Sequence, residues 1–197
     1  MAILVTGGAG YIGSHTVADL VAAGEQVVVL DSLVTGHRAA VHGADVVIGD
    51  IRDTAAVTRL LRERDVEAVV HFAASSLVGV SVQQPREYYD NNVSGTLSLL
   101  TAMVEAGVKS IVFSSTAAVY GQPRELPIPE THPASPTSPY GDTKYAIERM
   151  LYWFFGAYGL RSFCLRYFNA AGAHPDLPIG EDHRPETHLI PIVLATA

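Results

Sequence analysis

The sequence is poor in three features that would assign it to familiar classes. It has a single cysteine, Cys164, in 197 residues, so no internal disulfide can form, which indicates a reducing compartment such as the cytoplasm. Acidic residues outnumber basic ones to give a net charge of -7, and no basic run offsets this, which argues against a nucleic-acid partner. All apolar runs are shorter than the ~20 residues that span a bilayer, so no membrane association is expected.

What the sequence does contain is an alternation of short apolar runs with longer segments of helical pattern. Most short runs are apolar throughout, which is typical of strands buried on both faces of a sheet. Each longer segment can cross from one strand to the next as a helix, so we expect an α/β fold with a doubly wound parallel sheet. Cys164 lies in the last run and is expected to fill the core. The predicted strands are residues 2–6, 26–30, 46–48, 68–72, 110–114 and 162–165, and the predicted helices are residues 11–23, 54–64, 88–105 and 140–155.

A glycine-rich turn joins the first predicted strand to the first helix. Residues 6–13 read TGGAGYIG, whose glycines fit two overlapping dinucleotide-binding spacings, one through positions 8, 10 and 13 and one through 7, 10 and 13. Glycines permit the tight turn and a close approach to a pyrophosphate, and free N–H groups at the helix start attract the anion. Asp31, about 20 residues on, is placed to bind a ribose and favours NAD over NADP; a capping or turn role is the alternative. These features predict a Rossmann-type fold.

A tyrosine and a lysine four residues apart begin the last predicted helix. Tyr140 and Lys144 share one helix face, so both side chains point into the same cleft. A nearby ammonium favours the ionised phenol, which makes Tyr140 a candidate base. Ser138 and Pro139 fit the N-cap and first position of a helix, which places Tyr140 in the first turn.

A hydroxyl cluster, Ser114-Ser115-Thr116, directly follows the fifth predicted strand. Ligands in open α/β sheets bind beyond the carboxyl ends of the strands, so these hydroxyls are expected at the reaction centre. Thr116 is the best candidate to hold a reacting hydroxyl against Tyr140, whereas an ordinary strand-end cap is the alternative.

Together these residues resemble a known family. The combination of TGGAGYIGSH, Asp31, GDI at 49–51, HFAA at 71–74, YYDNN at 88–92, SSTAAVYG at 114–121, YGDTK at 140–144 and RYFNAAGAHP at 166–175 is similar to the UDP-glucose 4-epimerases of the extended short-chain dehydrogenase/reductase family. The glycine loop and the Tyr-Lys pair mark the superfamily, and GYIGSH, YYDNN and RYFNAAGAHP are more specific. The similarity runs through the whole chain.

The resemblance implies NAD as the cofactor and assigns its contacts to matching positions. Asp50 and Ile51 would flank the adenine, and Tyr167 and Phe168 would lie near the nicotinamide. His71 is expected to be a packed strand residue, and no histidine or carboxylate cluster in the sequence suggests a metal site. The implied cofactor-binding set is Gly7, Gly10, Tyr11, Ile12, Gly13, Asp31, Ser32, Asp50, Ile51, Phe72, Ala73, Ala74, Asn91, Ser114, Tyr140, Lys144, Tyr167 and Phe168.

The same resemblance implies a substrate and a reaction. The substrate would be a UDP-hexose, epimerised at C4 through a 4-keto sugar, with Tyr140 removing the hydroxyl proton while NAD takes up the hydride. Lys144 would bind the nicotinamide ribose and lower the pKa of Tyr140, and Thr116 would steer the proton. The implied substrate contacts are Thr116, Tyr140, Asn169, His188 and Leu189.

Related nucleotide-sugar enzymes are the alternatives. The 4,6-dehydratases carry an Asp-Glu pair after the threonine of the hydroxyl cluster, whereas this sequence has Ala117 and Ala118, so dehydration lacks its acid and base. Enzymes that act on UDP-uronates remain open, although no clear cation for the sugar carboxylate is found.

The resemblance also implies a longer chain. We expect an NAD-binding domain at residues 1–169 and the start of a substrate lobe at residues 170–197. Three readings stay open: a fragment of a longer enzyme, an NAD-binding module without turnover, or a lobe supplied by a second chain. Helices 88–105 and 140–155 carry more apolar surface than one sheet face covers, and the resemblance suggests a homodimer through them, with core burial as the alternative.

Overall fold

The computed structural model describes residues 1–183, 186 and 188–196. Within these residues a six-stranded parallel sheet forms in the order β3-β2-β1-β4-β5-β6. This is the strand order of a doubly wound Rossmann sheet, so the predicted fold class is confirmed. The strands are β1 (Ala2–Thr6), β2 (Val27–Asp31), β3 (Asp45–Ile48), β4 (Val66–His71), β5 (Ser110–Ser114) and β6 (Arg161–Leu165).

The predicted crossover helices also form, and the structure adds shorter ones. Predicted helix 88–105 forms as a continuous helical stretch from Pro85 to Ala106, with a π-helical turn at Tyr89–Ser94. Short 3₁₀ turns occupy Arg38–Ala40 and Ala117–Val119. The α-helices are α1 (Tyr11–Ala22), α2 (Thr54–Glu63), α3 (Val78–Gln83), α4 (Pro85–Tyr88), α5 (Gly95–Ala106), α6 (Pro139–Tyr158) and α7 (Leu189–Thr196).

The core explains why these segments pack as they do. Every residue of β2 is buried, as its unbroken apolar run predicts. One large cluster joins the sheet to α2, α5 and α6, and a smaller one on the other face joins β1 and β2 to Val17 of α1. Helix α6 begins as predicted, since the Ser138 hydroxyl accepts a hydrogen bond from the Gly141 N–H at 3.2 Å and Pro139 follows.

The edge strand β6 departs from the prediction. Its apolar run indicates burial on both faces, yet Phe163 is 73% exposed and Leu165 48% exposed. The prediction that Cys164 fills the core is wrong, because this residue is exposed. The reason is topological: β6 is the last strand of the sheet, and a continuous apolar run does not reveal whether a strand is central or at an edge.

The strand order fixes where a ligand should bind. Strands β2 and β3 are added on one side of β1, and β4, β5 and β6 on the other. The topological switch point, where ligands bind in such sheets, therefore lies at the carboxyl ends of β1 and β4. The glycine loop follows β1, residues 72–74 follow β4 and the hydroxyl cluster follows β5, so all three meet at this edge. No helix in the described part of the chain is long and apolar enough to cross a membrane.

Two substitutions separate core from edge. Leu151, a residue of α6, is fully buried, so Leu151→Ala should lower the free energy of unfolding by about 2–5 kcal/mol. Phe163→Ala removes a larger side chain from an exposed position and should change the free energy of unfolding by about 0.5 kcal/mol or less. Urea unfolding followed by circular dichroism measures both, and a loss for Phe163→Ala as large as for Leu151→Ala would contradict the exposed edge.

Candidate active site

The glycine loop is held in a conformation that two of its glycines make possible. Gly7 has a φ of 72°, and a Cβ added there would lie 2.5 Å from the Ala73 nitrogen. A Cβ at Gly13 would lie 2.2 Å from the Gly7 carbonyl oxygen. Gly10, the middle member, would meet the same oxygen only at 3.4 Å. Gly7 and Gly13 therefore permit the close packing of the loop on itself and on the chain after β4.

The loop ends in an anion-binding helix terminus. Gly10 is the N-cap of α1, and no side chain among the described residues caps this end. The N–H groups of Tyr11 and Ile12 are therefore free to face an anion, with the helix dipole behind them. The Tyr11 hydroxyl donates to the Gly172 carbonyl at 2.6 Å, which ties the segment after β6 to this helix.

Asp31 stands beside the loop and orders it. One carboxylate oxygen accepts the Ala9 N–H at 2.9 Å, and the other accepts the Leu33 N–H at 2.9 Å. The second bond is the turn role that the sequence left open, and the first fixes Asp31 against the glycine loop. Each oxygen keeps a second lone pair, so the carboxylate can still accept from a ribose hydroxyl at this strand end, next to Ser32.

The positions expected to face the adenine lie at the end of β3. Arg52 holds Asp50 with its side chain at 2.6 Å and also pairs with Asp90 of the π-helical turn at 2.7 Å. The Arg52 hydrogen bond lowers the pKa of Asp50. Ile51 is buried in the main core against Gly95. The structure thus places the Asp50 side chain at the surface and the Ile51 side chain in the core beside it.

The strand end of β4 forms the next wall of the cleft. The N–H groups of Phe72 and Ala73 both donate to the Thr6 carbonyl, at 2.9 and 3.1 Å, and Ala74 follows them. The Asn91 amide donates to the Ser75 hydroxyl at 3.1 Å. The hydrogen bond from this segment to α6 is made by the neighbouring residue Asn92, which sequence reasoning did not single out.

Asn92 is fully buried and links three segments. Its side-chain oxygen accepts the Ser75 N–H at 2.8 Å, and its amide donates to the Ser75 carbonyl at 3.0 Å and to the Thr143 hydroxyl at 3.2 Å. The π-helical turn therefore connects the end of β4 to the first turns of α6, next to Tyr140 and Lys144. A polar residue in a helical stretch gives little sequence signal for such a role.

The Tyr-Lys pair and the hydroxyl cluster do come together. The Lys144 ammonium donates to the Ser114 carbonyl at 2.8 Å and lies 5.9 Å from the centre of the Tyr140 ring. Thr116 lies close enough to the Tyr140 side chain to lower its pKa, as expected for a residue that steers a proton. A Cβ at Gly141 would lie 2.7 Å from the Ala118 carbonyl, so this glycine permits the close approach of α6.

Burial dominates the electrostatics of this centre. It lowers the pKa of Lys144 from its ordinary 10.5 to about 7. It also raises the pKa of Tyr140, an effect that the Thr116 hydrogen bond opposes. The expected lowering of the phenol pKa by Lys144 is not found, and the net shift of the Tyr140 pKa is upward.

His71 is a structural residue, as the sequence suggests. Its ring lies between the Thr6 hydroxyl at 2.6 Å and the Thr96 hydroxyl at 2.9 Å. Thr96 donates its own proton to the Asn92 carbonyl, so it accepts from the His71 Nε2–H and the ring is neutral. Burial and the nearby Lys144 lower the pKa of His71 to about 3.

A partly buried carboxylate that sequence reasoning missed links the segments around Tyr140 and Lys144. Glu148 accepts a hydrogen bond from the Ser115 hydroxyl at 2.5 Å and pairs with Arg166 at 2.5 and 2.9 Å. It connects α6, the hydroxyl cluster after β5 and the chain after β6. The signal was present, because Glu148 continues the four-residue spacing of Tyr140 and Lys144 along one helix face.

The residues expected near the nicotinamide and the sugar divide into two groups. The Tyr167 hydroxyl hydrogen-bonds Ser114, and its carbonyl accepts the Ala117 N–H at 3.0 Å, so it lies at the centre. Phe168 and Asn169 are exposed. The implied nucleotide contacts His188 and Leu189 are also exposed. His188 contacts Glu181 and Glu186, and Leu189 is the first residue of α7.

A histidine and glutamate cluster appears where the sequence suggested none. Glu181, His183, Glu186 and His188 place one potential ligand atom each within 4.8 Å of one another. The sequence did not reveal it because the spacings of two, three and two residues between its members match neither a strand nor a helix period.

Lys144 should make stability depend on pH. Its folded pKa is about 7 against an ordinary 10.5, so between these values the unfolded chain binds more protons. The free energy of unfolding should therefore rise with pH across this window, by at most about 1.4 kcal/mol per pH unit, and Lys144→Met should lose this rise. Urea unfolding of both proteins at about pH 7 and about pH 9 tests it, and identical pH slopes would refute it.

Glu148 and Arg166 should be energetically coupled. Glu148→Gln leaves a half-buried guanidinium without its counter-charge and should cost up to about 3–5 kcal/mol of stability. In the double variant Glu148→Gln with Arg166→Gln no charge is left unpaired, so its loss should be smaller than the sum of the two single losses. A double-mutant cycle from urea unfolding measures this, and strict additivity would speak against the coupling.

Comparisons with known proteins agree with this geometry. A model of the NAD dependent epimerase/dehydratase family matches residues 3–197. The chain is 60% identical over 197 residues to a UDP-glucose 4-epimerase of Halalkalibacterium halodurans, which covers 100% of this chain and 59% of that protein. It is 58% identical over 200 residues to a UDP-glucose 4-epimerase of Streptococcus mutans, which covers 100% of this chain and 60% of that protein.

Solved structures show the same likeness. A UDP-glucose 4-epimerase of Brucella ovis in complex with NAD superposes with a TM-score of 0.95 at 50% identity, covering 97% of this chain and 59% of that one. The enzyme of Bifidobacterium longum in complex with NAD+ and UDP gives a TM-score of 0.89 at 41% identity, covering 92% and 57%. The chain thus spans about three fifths of the length of its relatives. The match over residues 3–197 shows that it belongs to the NAD dependent epimerase/dehydratase family.

Proposed function

We propose that this chain carries the NAD-binding and catalytic part of an enzyme that epimerises a UDP-hexose, such as UDP-glucose or UDP-galactose, at C4. The observation that carries the proposal is the joint position of Tyr140, Lys144 and Thr116 at the carboxyl edge of the sheet, beside the glycine loop. Relatives that are 55–60% identical over 100% of this chain are UDP-glucose 4-epimerases, which supports the substrate class.

NAD fits the edge where the glycine loop ends. The uncapped start of α1 would bind the pyrophosphate, and Asp31 would accept from the adenine ribose while its charge repels a 2′-phosphate. Asp50 and Ile51 would flank the adenine. Ser32, Phe72, Ala73, Ala74, Asn91, Ser114, Tyr167 and Phe168 would line the rest of the cleft. Bound NAD would supply the oxidant that takes up the C4 hydride and returns it.

The residues of this chain would transfer the proton of the sugar C4 hydroxyl. Thr116 would hold the C4 hydroxyl against Tyr140, whose phenolate removes the proton as the 4-keto sugar forms and gives it back afterwards. Lys144, next to Tyr140 and fixed by the Ser114 carbonyl, would bind the nicotinamide ribose and favour the phenolate when charged. Because burial raises the pKa of Tyr140, ionisation needs this positive charge and that of the oxidised cofactor.

Asn169, at the end of the proposed NAD-binding domain of residues 1–169, would contact the nucleotide sugar. His188 and Leu189, in the proposed start of a substrate lobe at residues 170–197, would contact it as well. The exposure of Asn169, His188 and Leu189 in this chain suits a surface that a substrate covers. Cytoplasmic location fits the single cysteine. A homodimer is supported by apolar side chains exposed on α5 and α6, among them Leu97, Tyr152, Trp153 and Phe155.

Tyr140→Phe tests the proposed base. The variant should bind NAD as the parent does, but should lose the rise in reduced-cofactor absorbance that UDP-glucose produces with the parent, by at least about 100-fold in rate, since a general base contributes about 10²–10⁴. Tyr158→Phe, an exposed change of the same kind at the end of the same helix, is the matched control and should behave as the parent.

The competing readings give different results. A parent rate retained in Tyr140→Phe would overturn the assigned base. Calorimetry that shows heat with NAD and none with UDP-glucose for the parent chain would identify it as an NAD-binding module without turnover. A response to UDP-glucuronate and none to UDP-glucose would move the substrate to the uronates.

A further inference from the structure

The segment that leads into α7 gathers two glutamates and two histidines around one point. The Nδ1 atom of His188 lies 2.6 Å from an oxygen of Glu181 and 2.8 Å from an oxygen of Glu186. The Nδ1 atom of His183 lies 3.1 Å from the same Glu181 oxygen and 4.0 Å from the second oxygen of Glu186. Each histidine nitrogen therefore faces both carboxylates.

The two carboxylates are the more buried members of this cluster. The side chain of Glu181 is 12% exposed and that of Glu186 23% exposed, against 31% for His183 and 47% for His188. Two partly desolvated carboxylates held this close repel each other, and a cation bound between them would relieve that repulsion.

We propose that Glu181, His183, Glu186 and His188 form a binding site for a divalent transition-metal ion, with Zn²⁺ as the ion that best fits the ligand set. Zn²⁺ binds imidazole nitrogen and carboxylate oxygen at about 2.0–2.2 Å, usually with four ligands in a tetrahedron. Such bonds separate neighbouring ligand atoms by about 3.3 Å, and the four separations above, from 2.6 to 4.0 Å, lie on both sides of this value.

The choice of ion follows from ligand chemistry. Mg²⁺ and Ca²⁺ prefer six or more oxygen ligands, whereas half of this set is imidazole. Imidazole with carboxylate suits Zn²⁺, Cu²⁺ and Ni²⁺, and the last two prefer a square-planar or tetragonal arrangement. Four ligands converging on one point therefore favour Zn²⁺.

The position of the cluster gives the site a structural consequence. The Tyr11 hydroxyl holds Gly172 at the start of α1, and His37 lies 3.7 Å from the Asp182 carboxylate, so the chain before the cluster is attached to the glycine-loop side of the sheet. His188 directly precedes α7. A metal ion bridging Glu181 and His188 would fix the start of α7 relative to α1, and it would hold the His188 ring that otherwise is available to a nucleotide.

Titration of the full chain with Zn²⁺ in a calorimeter, and with Co²⁺ in a spectrophotometer, tests the proposal. We expect one ion per chain and the intense visible absorption of four-coordinate Co²⁺. Because imidazole must be neutral to bind a metal, affinity should fall as the pH drops from about 7 to about 5.5. Glu181→Gln and His183→Gln should each weaken binding at least about tenfold, since loss of even an outer-shell partner costs that much.

Matched controls separate this site from general surface binding. Glu130→Gln removes the same charge from an exposed position in another loop and should leave the affinity unchanged. Circular dichroism checks that each variant is folded, and the Co²⁺ spectrum of the parent needs no variant. Absence of binding, the weak spectrum of six-coordinate Co²⁺, or equal affinities in the parent, Glu181→Gln and His183→Gln would overturn the site.

Discussion

The partly buried carboxylate of Glu148 makes the interactions on which the geometry of the candidate active site depends. Tyr140, Lys144 and Glu148 follow one another at intervals of four along α6, so fixing Glu148 also fixes the rotation of the helix about its axis. Its two partners belong to different chain segments, Ser115 after β5 and Arg166 after β6. The hydroxyl cluster, the phenol and Tyr167 thereby keep fixed relative positions, the preorganisation that the proposed proton transfer would require.

The polar groups beneath this centre are arranged so that little charge is buried. His71 is neutral between two threonine hydroxyls, and Asn92 has its hydrogen-bonding groups occupied by Ser75 and Thr143. Lys144 is the exception, and its lowered pKa records the cost of placing an ammonium there. A group kept close to neutrality in the free protein becomes fully charged only when its surroundings supply a favourable partner, so binding at this edge and protonation of Lys144 are linked.

Much of the fold was predictable because the dominant signals are local. Unbroken apolar runs gave the central strands, the glycine spacing gave the loop after β1, and Ser138-Pro139 gave the start of α6. The errors come from information that is not local. Whether a run such as 162–165 lies in the middle of a sheet or at its edge depends on strand order, which is why Cys164 was misplaced.

The site shows the same division. Tyr140, Lys144 and Thr116 were found from spacing and strand position, and the structure brings them together. The roles of Asn92 and Arg166 depend on partners far away in sequence, 17 and 18 residues or more distant, so no window along the chain reveals them. The cluster of Glu181, His183, Glu186 and His188 follows no helix or strand period in the sequence, so its convergence was not predictable.

Exposed β6 has a consequence for how the isolated chain behaves in solution. An edge strand has one row of backbone N–H and C=O groups open to pairing, and here that row runs beside the apolar side chains of Phe163 and Leu165. Strand addition between copies would satisfy both at once, and any such association shifts the folding equilibrium by mass action. The apparent stability of this chain should therefore be treated as a function of its concentration, and a measured midpoint of unfolding is a property of the solution as much as of the molecule.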